Sequence, residues 1–163
     1  MIQIKTPAKE DFRKICIIDK EIFKKDHDKN SVIIDRLKTF PEGCFLALDN
    51  DKEVGYLSSE IWSREHTIAS NIKASKNHDP KGRILYISGI GILPNYQNKK
   101  IGSRLLKKAI TLAKKMMAKY IILRTHTERS KRFYEKHGFK QISYKNLEPE
   151  DKCYIMKLNL ENG

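Results

Sequence analysis

ILYISGIGILPNYQNKKIGS, residues 84–103, holds the succession of elements that decides the fold. Through Leu93 it is apolar enough to be a central strand, and Gly89 and Gly91 within it mark a bulge or a place where a ligand's backbone approaches. Pro94 marks a turn, Gln97, Asn98, Lys99 and Lys100 make a polar loop rich in side-chain donors, and Ile101 opens an amphipathic helix. Backbone N–H groups at a helix start have no intrahelical acceptor, and the helix dipole adds partial positive charge there. An anion at residues 99–103 is therefore held by both effects. The stretch contains no GxxxxGK[ST], and its glycines are not spaced as GxGxxG, which argues against a P-loop or a Rossmann dinucleotide site.

Working outward, residues 101–118 place Ile101, Leu105, Leu106, Ala109, Ile110, Ala113, Met116 and Met117 on one stripe. Arg104, Lys107, Lys108, Lys114 and Lys115 fall on the other. Residues 120–124 read as the next strand. Strand, helix and strand in this order imply a right-handed parallel crossover, with the polar loop at the carboxyl edge of the sheet, where ligands collect. A short helix over 130–137 is closed by Gly138, and 140–144 with 154–160 finish the sheet as an antiparallel pair. Upstream, residues 1–5 alternate as a strand, and 8–23 repeat apolar positions at helical steps. KKDHDKN is a charged break, and 31–39 form a shorter helix. Residues 44–48 and 54–62 are a hairpin turning at Asp49, Asn50 and Asp51, and 63–82 form an active-site or surface loop.

The 163 residues suit one domain, residues 1–163, with a single continuous core. With 39% hydrophobic and 33% charged residues the chain is a soluble globular protein, and no apolar run is long enough to span a membrane. The start, MIQIKTPAKEDF, does not look like a signal peptide, so a cytoplasmic location is expected. Cys16, Cys44 and Cys153 are widely spaced, with no CxxC or HxxxH pattern, and read as core residues in a reducing compartment. No metal site is expected. The net charge of +13 comes from lysines spread along the whole chain, without the basic clusters and stacking aromatics of a nucleic-acid interface. It supports attraction to anions, and faster encounter with them, rather than a specific partner.

Ile92-x-Pro94-x-x-Gln97-x-x-Lys100-x-Gly102 resembles the acyl-CoA-binding signature of the GNAT N-acetyltransferase superfamily, V-x-P-x-x-[RQ]-x-x-G-x-[GA]. Lys100 stands where the first glycine is usual. Downstream, Thr127-x-x-Ser130-x-x-Phe133-Tyr134-Glu135-Lys136-His137-Gly138-Phe139 resembles the superfamily's N-x-x-A-x-x-[LF]-Y-x-K-x-G-F, with Thr127 and Ser130 in place of asparagine and alanine. The resemblance implies an α/β (α+β) fold: a mixed, mostly antiparallel central sheet with a parallel strand-helix-strand crossover at the CoA site and helices on both faces. It implies acetyl-CoA as cosubstrate and no metal. Backbone groups of Ile90, Gly91 and Ile92 would pair with the pantetheine arm, and the Ile92 N–H would polarise the acetyl carbonyl. Gln97, Asn98, Lys99, Lys100, Ile101, Gly102 and Ser103 would hold the pyrophosphate, and Thr127, Ser130, Phe133 and Tyr134 would complete the site. Tyr134 would point its phenol, of ordinary pKa about 10, at the thioester sulfur as the acid. Lys100 either adds a charge contact to phosphate or strains a tight loop at positive φ.

A base must take a proton from an ammonium acceptor, and the central strand carries no carboxylate. Glu60 is the first candidate and His78 the second, with His126 third and Ser88 able to position a water. SSEIW followed by NHDPKGRILYISGIGILP resembles the arylalkylamine branch of the superfamily, with Trp62, Tyr86 and Tyr96 as pocket walls. A small primary amine is then the expected acceptor, ahead of a peptide N-terminus or a lysine side chain. The rivals are a CoA-binding regulatory module of the same fold, which Lys100 and the missing carboxylate would signal, and a basic nucleic-acid binder. Neither a nucleic-acid nor a membrane partner is expected, and a homodimer is the default assembly.

Overall fold

A computed structural model describes residues 1–145, 147 and 152–161. The elements run β1 (Ile2–Lys5), α1 (Phe12–Phe23), α2 (Asn30–Thr39), β2 (Phe45–Asp49), β3 (Lys52–Trp62), α3 (Ala74–Asn77), β4 (Ile84–Ile92), α4 (Ile101–Lys115), β5 (Tyr120–Thr125), α5 (Glu128–Lys136), β6 (Lys140–Ile142) and β7 (Tyr154–Asn159). Among the described residues the strands form one seven-stranded sheet in the order β1-β2-β3-β4-β5-β7-β6. Every neighbouring pair is antiparallel except β4 with β5, which α4 joins as the crossover. The mixed sheet with helices on both faces is the architecture expected from the sequence.

Successive strand residues point to opposite faces, and that alternation divides the core. Leu46 and Leu48 of β2 and Tyr56 of β3 meet Ile15, Ile18, Ile33 and Leu37 of α1 and α2. On the other face Ala47, Leu57, Leu85, Ile87, Ile121 and Leu123 meet Leu105, Leu106, Ala109 and Ala113 of α4, with Tyr134 of α5 and Phe139. Each fully buried leucine here contributes on the order of 2 kcal/mol. Small residues at 109 and 113 let α4 lie close to the sheet, which sets its first turn against the end of β4.

Some boundaries differ from those expected. Residues 9–11 form a separate 3-10 turn before α1, because the Asp11 carboxylate accepts the Ala8 N–H at 2.7 Å and pairs with Lys5 at 2.9 Å. β3 begins at Lys52, two residues early, since Asn50 and Asp51 take up the turn at φ of 46° and 71°. The 63–82 loop contains α3 and joins Leu147 through a parallel bridge at Ile68. No helix among the described residues is long and apolar enough to cross a membrane.

One irregularity positions the site. β4 pairs with β5 only from Ile84↔Tyr120 to Ile87↔Leu123, although β4 continues to Ile92. At the point of parting β4 carries a bulge: Ser58 faces Gly89 and Ser59 faces Ile87, so Ser88 is the extra residue. The Leu93 N–H bonds to Val54 on β3. By strand alternation the N–H and C=O groups of Ile90 and Ile92 then face the side that β5 has left, while those of Gly91 face β3.

Candidate functional site

A groove of about 790 Å³ runs along that open edge, between the N-terminus of α4 and one side of α5. It is lined by Ile90, Gly91, Ile92, Gln97, Asn98, Lys100, Ile101, Gly102, Ser103, Thr127, Ser130, Phe133 and Tyr134, so the residues of the two sequence motifs come together here. Lys99 is left out, its ammonium lying over the Tyr96 ring 5.1 Å from the centroid. Gln97 ties the loop down by donating from Nε2 to the Ile92 carbonyl at 3.2 Å. No side chain caps α4, so the N–H groups of its first turn open into the groove. Arg129, Arg132 and Lys136 add positive charge along α5, and Arg129 bridges to the loop through Asn98 Oδ1 at 3.0 Å. A strand edge with spare N–H and C=O groups, an uncapped helix start and a cationic wall fit a long molecule with an amide arm and a phosphorylated end.

A second cavity, of about 780 Å³, opens on the α1 and α2 side of the sheet. Ile22, Phe23, Ile90, Thr127, Ser130 and Tyr134 line both, so the two meet at these residues. Tyr134 is buried between Phe133 and Phe139, and burial holds its phenol well above its ordinary pKa, so it stays protonated at neutral pH. Thr127 caps α5: its Oγ1 accepts the Ser130 N–H at 3.1 Å and donates to the Ser130 hydroxyl at 2.9 Å.

The acetyltransferase (GNAT) family model matches residues 9–139. The chain belongs to the GNAT acetyltransferase family. It is 36% identical over 77 residues to the uncharacterized N-acetyltransferase YkwB of Bacillus subtilis, a stretch that spans 43% of this chain and about a third, 34%, of that protein. Among solved structures it resembles the loading GNATL domain of CurA from Lyngbya majuscula, at a TM-score of 0.84 and 18% identity over 98% of both chains. It also resembles Arabidopsis thaliana Naa50 in complex with the bisubstrate analogue CoA-Ac-MVNAL, at a TM-score of 0.72 and 23% identity over 98% of this chain and 99% of that one. At these identities the likeness is one of fold.

Against the GNAT loop pattern the departure at Lys100 has a visible consequence. Lys100 is the N-cap of α4 and sits in the left-handed region at φ 64°, ψ 15°. Glycine holds such a conformation freely, whereas a side chain costs about 1 kcal/mol. The strained residue is also a groove cation. Lys100→Gly is accordingly expected to raise the thermal midpoint while weakening CoA binding by about fivefold, the scale of one exposed charge contact. Melting curves and isothermal titration of CoA read the two effects separately.

The base candidates are placed less favourably. Glu60 is buried, accepts the Trp62 indole N–H at 2.9 Å, and does not reach either cavity. His78 uses Nδ1 to accept the Ile61 N–H at 3.0 Å and stacks on Phe40, also outside both. Ser88 and His126 do line the second cavity, and so does Tyr86, stacked on Trp62 at 4.3 Å. Trp62 lies beneath Tyr86, and Tyr96 faces the groove instead. The charged break between α1 and α2, which as sequence carried no assignment, supplies Lys25, Asp26, His27 and Asp28 to the wall, with Arg36 and Tyr56 behind them.

Glu60 does make a clear contribution to pH dependence. Burial raises its carboxyl from 4.5 to about 7, against the Trp62 hydrogen bond and the Arg36 charge. Between those values the folded chain keeps a proton that the unfolded chain has released, so this group lowers stability as pH rises through the window. Glu60→Gln keeps an oxygen for Trp62 and removes the charge. Melting midpoints between about pH 5 and about pH 7.5 should fall less in Glu60→Gln than in the parent, with the variant the more stable at the upper end.

Proposed function

We propose that the protein moves the acetyl group of acetyl-CoA to a primary amine, with both substrates bound together. The observation that carries this reading is the meeting of groove and cavity at Tyr134, beside the part of β4 that β5 leaves unpaired. In this reading Ile90 and Ile92 pair with the amide arm as an added strand would, and the Ile92 N–H faces the acetyl oxygen as negative charge builds on it. The first turn of α4, with Lys100, takes the pyrophosphate. Tyr134 donates to the departing sulfur.

The acceptor enters from the second cavity, whose volume of about 780 Å³ accommodates a small amine or the first residues of a peptide. The Naa50 complex, with its CoA-acetyl-peptide analogue, is in line with the second option. Release of free thiol from acetyl-CoA, measured across arylalkylamines, polyamines, peptides with free N-termini and lysine peptides, tests the reading. Saturable release with one of these classes is expected. Tight CoA binding without release from any amine would instead make the protein a CoA-binding module of the same fold.

A further inference from the structure

Asp19 is a buried carboxylate that belongs to no ion pair among the described residues. It lies on the inner face of α1, 1% exposed. Arg36, which faces it, gives Nη1 to Asp28 at 2.7 Å. An unpaired carboxylate in a protein interior is costly, and such groups concentrate at functional sites.

Its hydrogen bonds show what it is placed to do. Oδ2 accepts the Asp28 N–H at 3.2 Å, and Oδ1 accepts the hydroxyl hydrogen of Tyr56. Since Tyr56 gives its only hydroxyl hydrogen to Asp19, its oxygen has nothing but lone pairs to offer elsewhere. Tyr56 lines the second cavity, and its hydroxyl stands 3.1 Å from where a Cβ on Gly89 would lie, so a side chain there would crowd it. Gly89 belongs to the part of β4 that β5 leaves unpaired. At the junction of the two cavities the Tyr134 hydroxyl has no hydrogen-bond partner among the described residues and is free to donate. The two phenols therefore have opposite capacities toward the cavities. Tyr134 can give a proton there, and Tyr56, whose hydrogen is turned to Asp19, can only receive one there.

Resting on the acetyl-transfer reading, we propose that Tyr56 and Asp19 are the proton exit for the acceptor ammonium. An N–H bond of the ammonium breaks as its proton joins the Tyr56 oxygen, while the Tyr56 O–H bond breaks as its hydrogen joins Asp19 Oδ1. The amine is left neutral with its lone pair free, Tyr56 is again a neutral phenol, and Asp19 is an uncharged acid. The reverse exchange with water resets the pair after product leaves. Burial raises the Asp19 carboxyl above its ordinary value, opposed by the Tyr56 hydrogen bond, which makes it a stronger base than an exposed aspartate. The charged and titratable groups around it are Cys16 one turn back on α1, Asp28 ahead of α2, Arg36 on α2 and Tyr56 on β3. Asp28 and Arg36 pair with each other, so of the three charged groups here Asp19 is the one that can change charge without breaking an ion pair.

Tyr56→Phe removes one oxygen and keeps the ring. It should lower turnover about thirtyfold near neutral pH, less than the loss of a whole acid-base group because water substitutes in part, with the acetyl-CoA KM unchanged. Asp19→Asn keeps an oxygen for Tyr56 and should erase the acidic limb of the kcat/KM profile against pH; if that variant does not fold, Tyr56→Phe alone decides. Turnover and acidic limb both unmoved in Tyr56→Phe would overturn the relay and leave acetyl transfer standing. A parent protein that releases thiol with no amine would overturn both.

Discussion

Tyr134→Phe is expected to slow turnover by about a hundredfold to a thousandfold while the CoA dissociation constant stays within about twofold, the range for loss of one acid in a proton-transfer step. The substitution deletes an oxygen that has no hydrogen-bond partner among the described residues and leaves a ring held by Phe133 and Phe139, so the packing of the ring is kept. The loss falls on the chemical step because the thiolate leaving group, of pKa about 8.5 if it resembles a cysteine, is the only part of the reaction that needs a donor at this position. Rapid-quench rates in a single turnover, beside CoA titrations, separate the two quantities. An unchanged single-turnover rate would make Tyr134 a wall residue and move the acid elsewhere.

The groove was legible in the sequence because its determinants are contiguous. Strand, proline turn, amide-rich loop and helix start follow one another over residues 84–103, and α5 begins a few residues after the next strand. Local periodicity and turn chemistry suffice for such an arrangement. The second cavity was legible only in part: Tyr86, Ser88 and His126 stand out in the sequence, but the rest of its wall comes from α1, α2, β3 and the break between the helices, elements that only the sheet order brings together. A signal was nevertheless present. Asp19 follows Ile15 by four residues and Ile18 by one, and Arg36 lies in phase with Val32, Ile33 and Leu37, so each puts a charge on the apolar stripe of its own helix. Charges in that position need a partner or a purpose. For Glu60 and His78 the residue types suit base chemistry, but one Glu60 oxygen accepts from the Trp62 indole, His78 Nδ1 accepts from the Ile61 backbone, and neither side chain lines the two cavities.

Gly102→Glu is expected to stabilise the protein and to cost it at least about a hundredfold in CoA affinity, two effects of opposite sign from one carboxylate. Gly102 is the second residue of α4 with ordinary helical φ, and a Cβ there meets Phe133 only at a van der Waals distance of 3.4 Å. Replacing a helical glycine gains roughly 1 kcal/mol, and an acid in the first turn gains about 0.3–1 kcal/mol more from the helix dipole. The same uncapped N–H groups that reward this carboxylate are those proposed to hold the pyrophosphate. Two like charges about 5 Å apart at a partly buried surface repel by roughly 3 kcal/mol, which outweighs anything the added bulk contributes. Gly102→Gln supplies the control, having the same volume and no charge, and should lose about tenfold or less. A Glu variant that melts higher yet binds CoA as the parent does would place the phosphates away from α4 and reverse the direction in which the cosubstrate lies along β4.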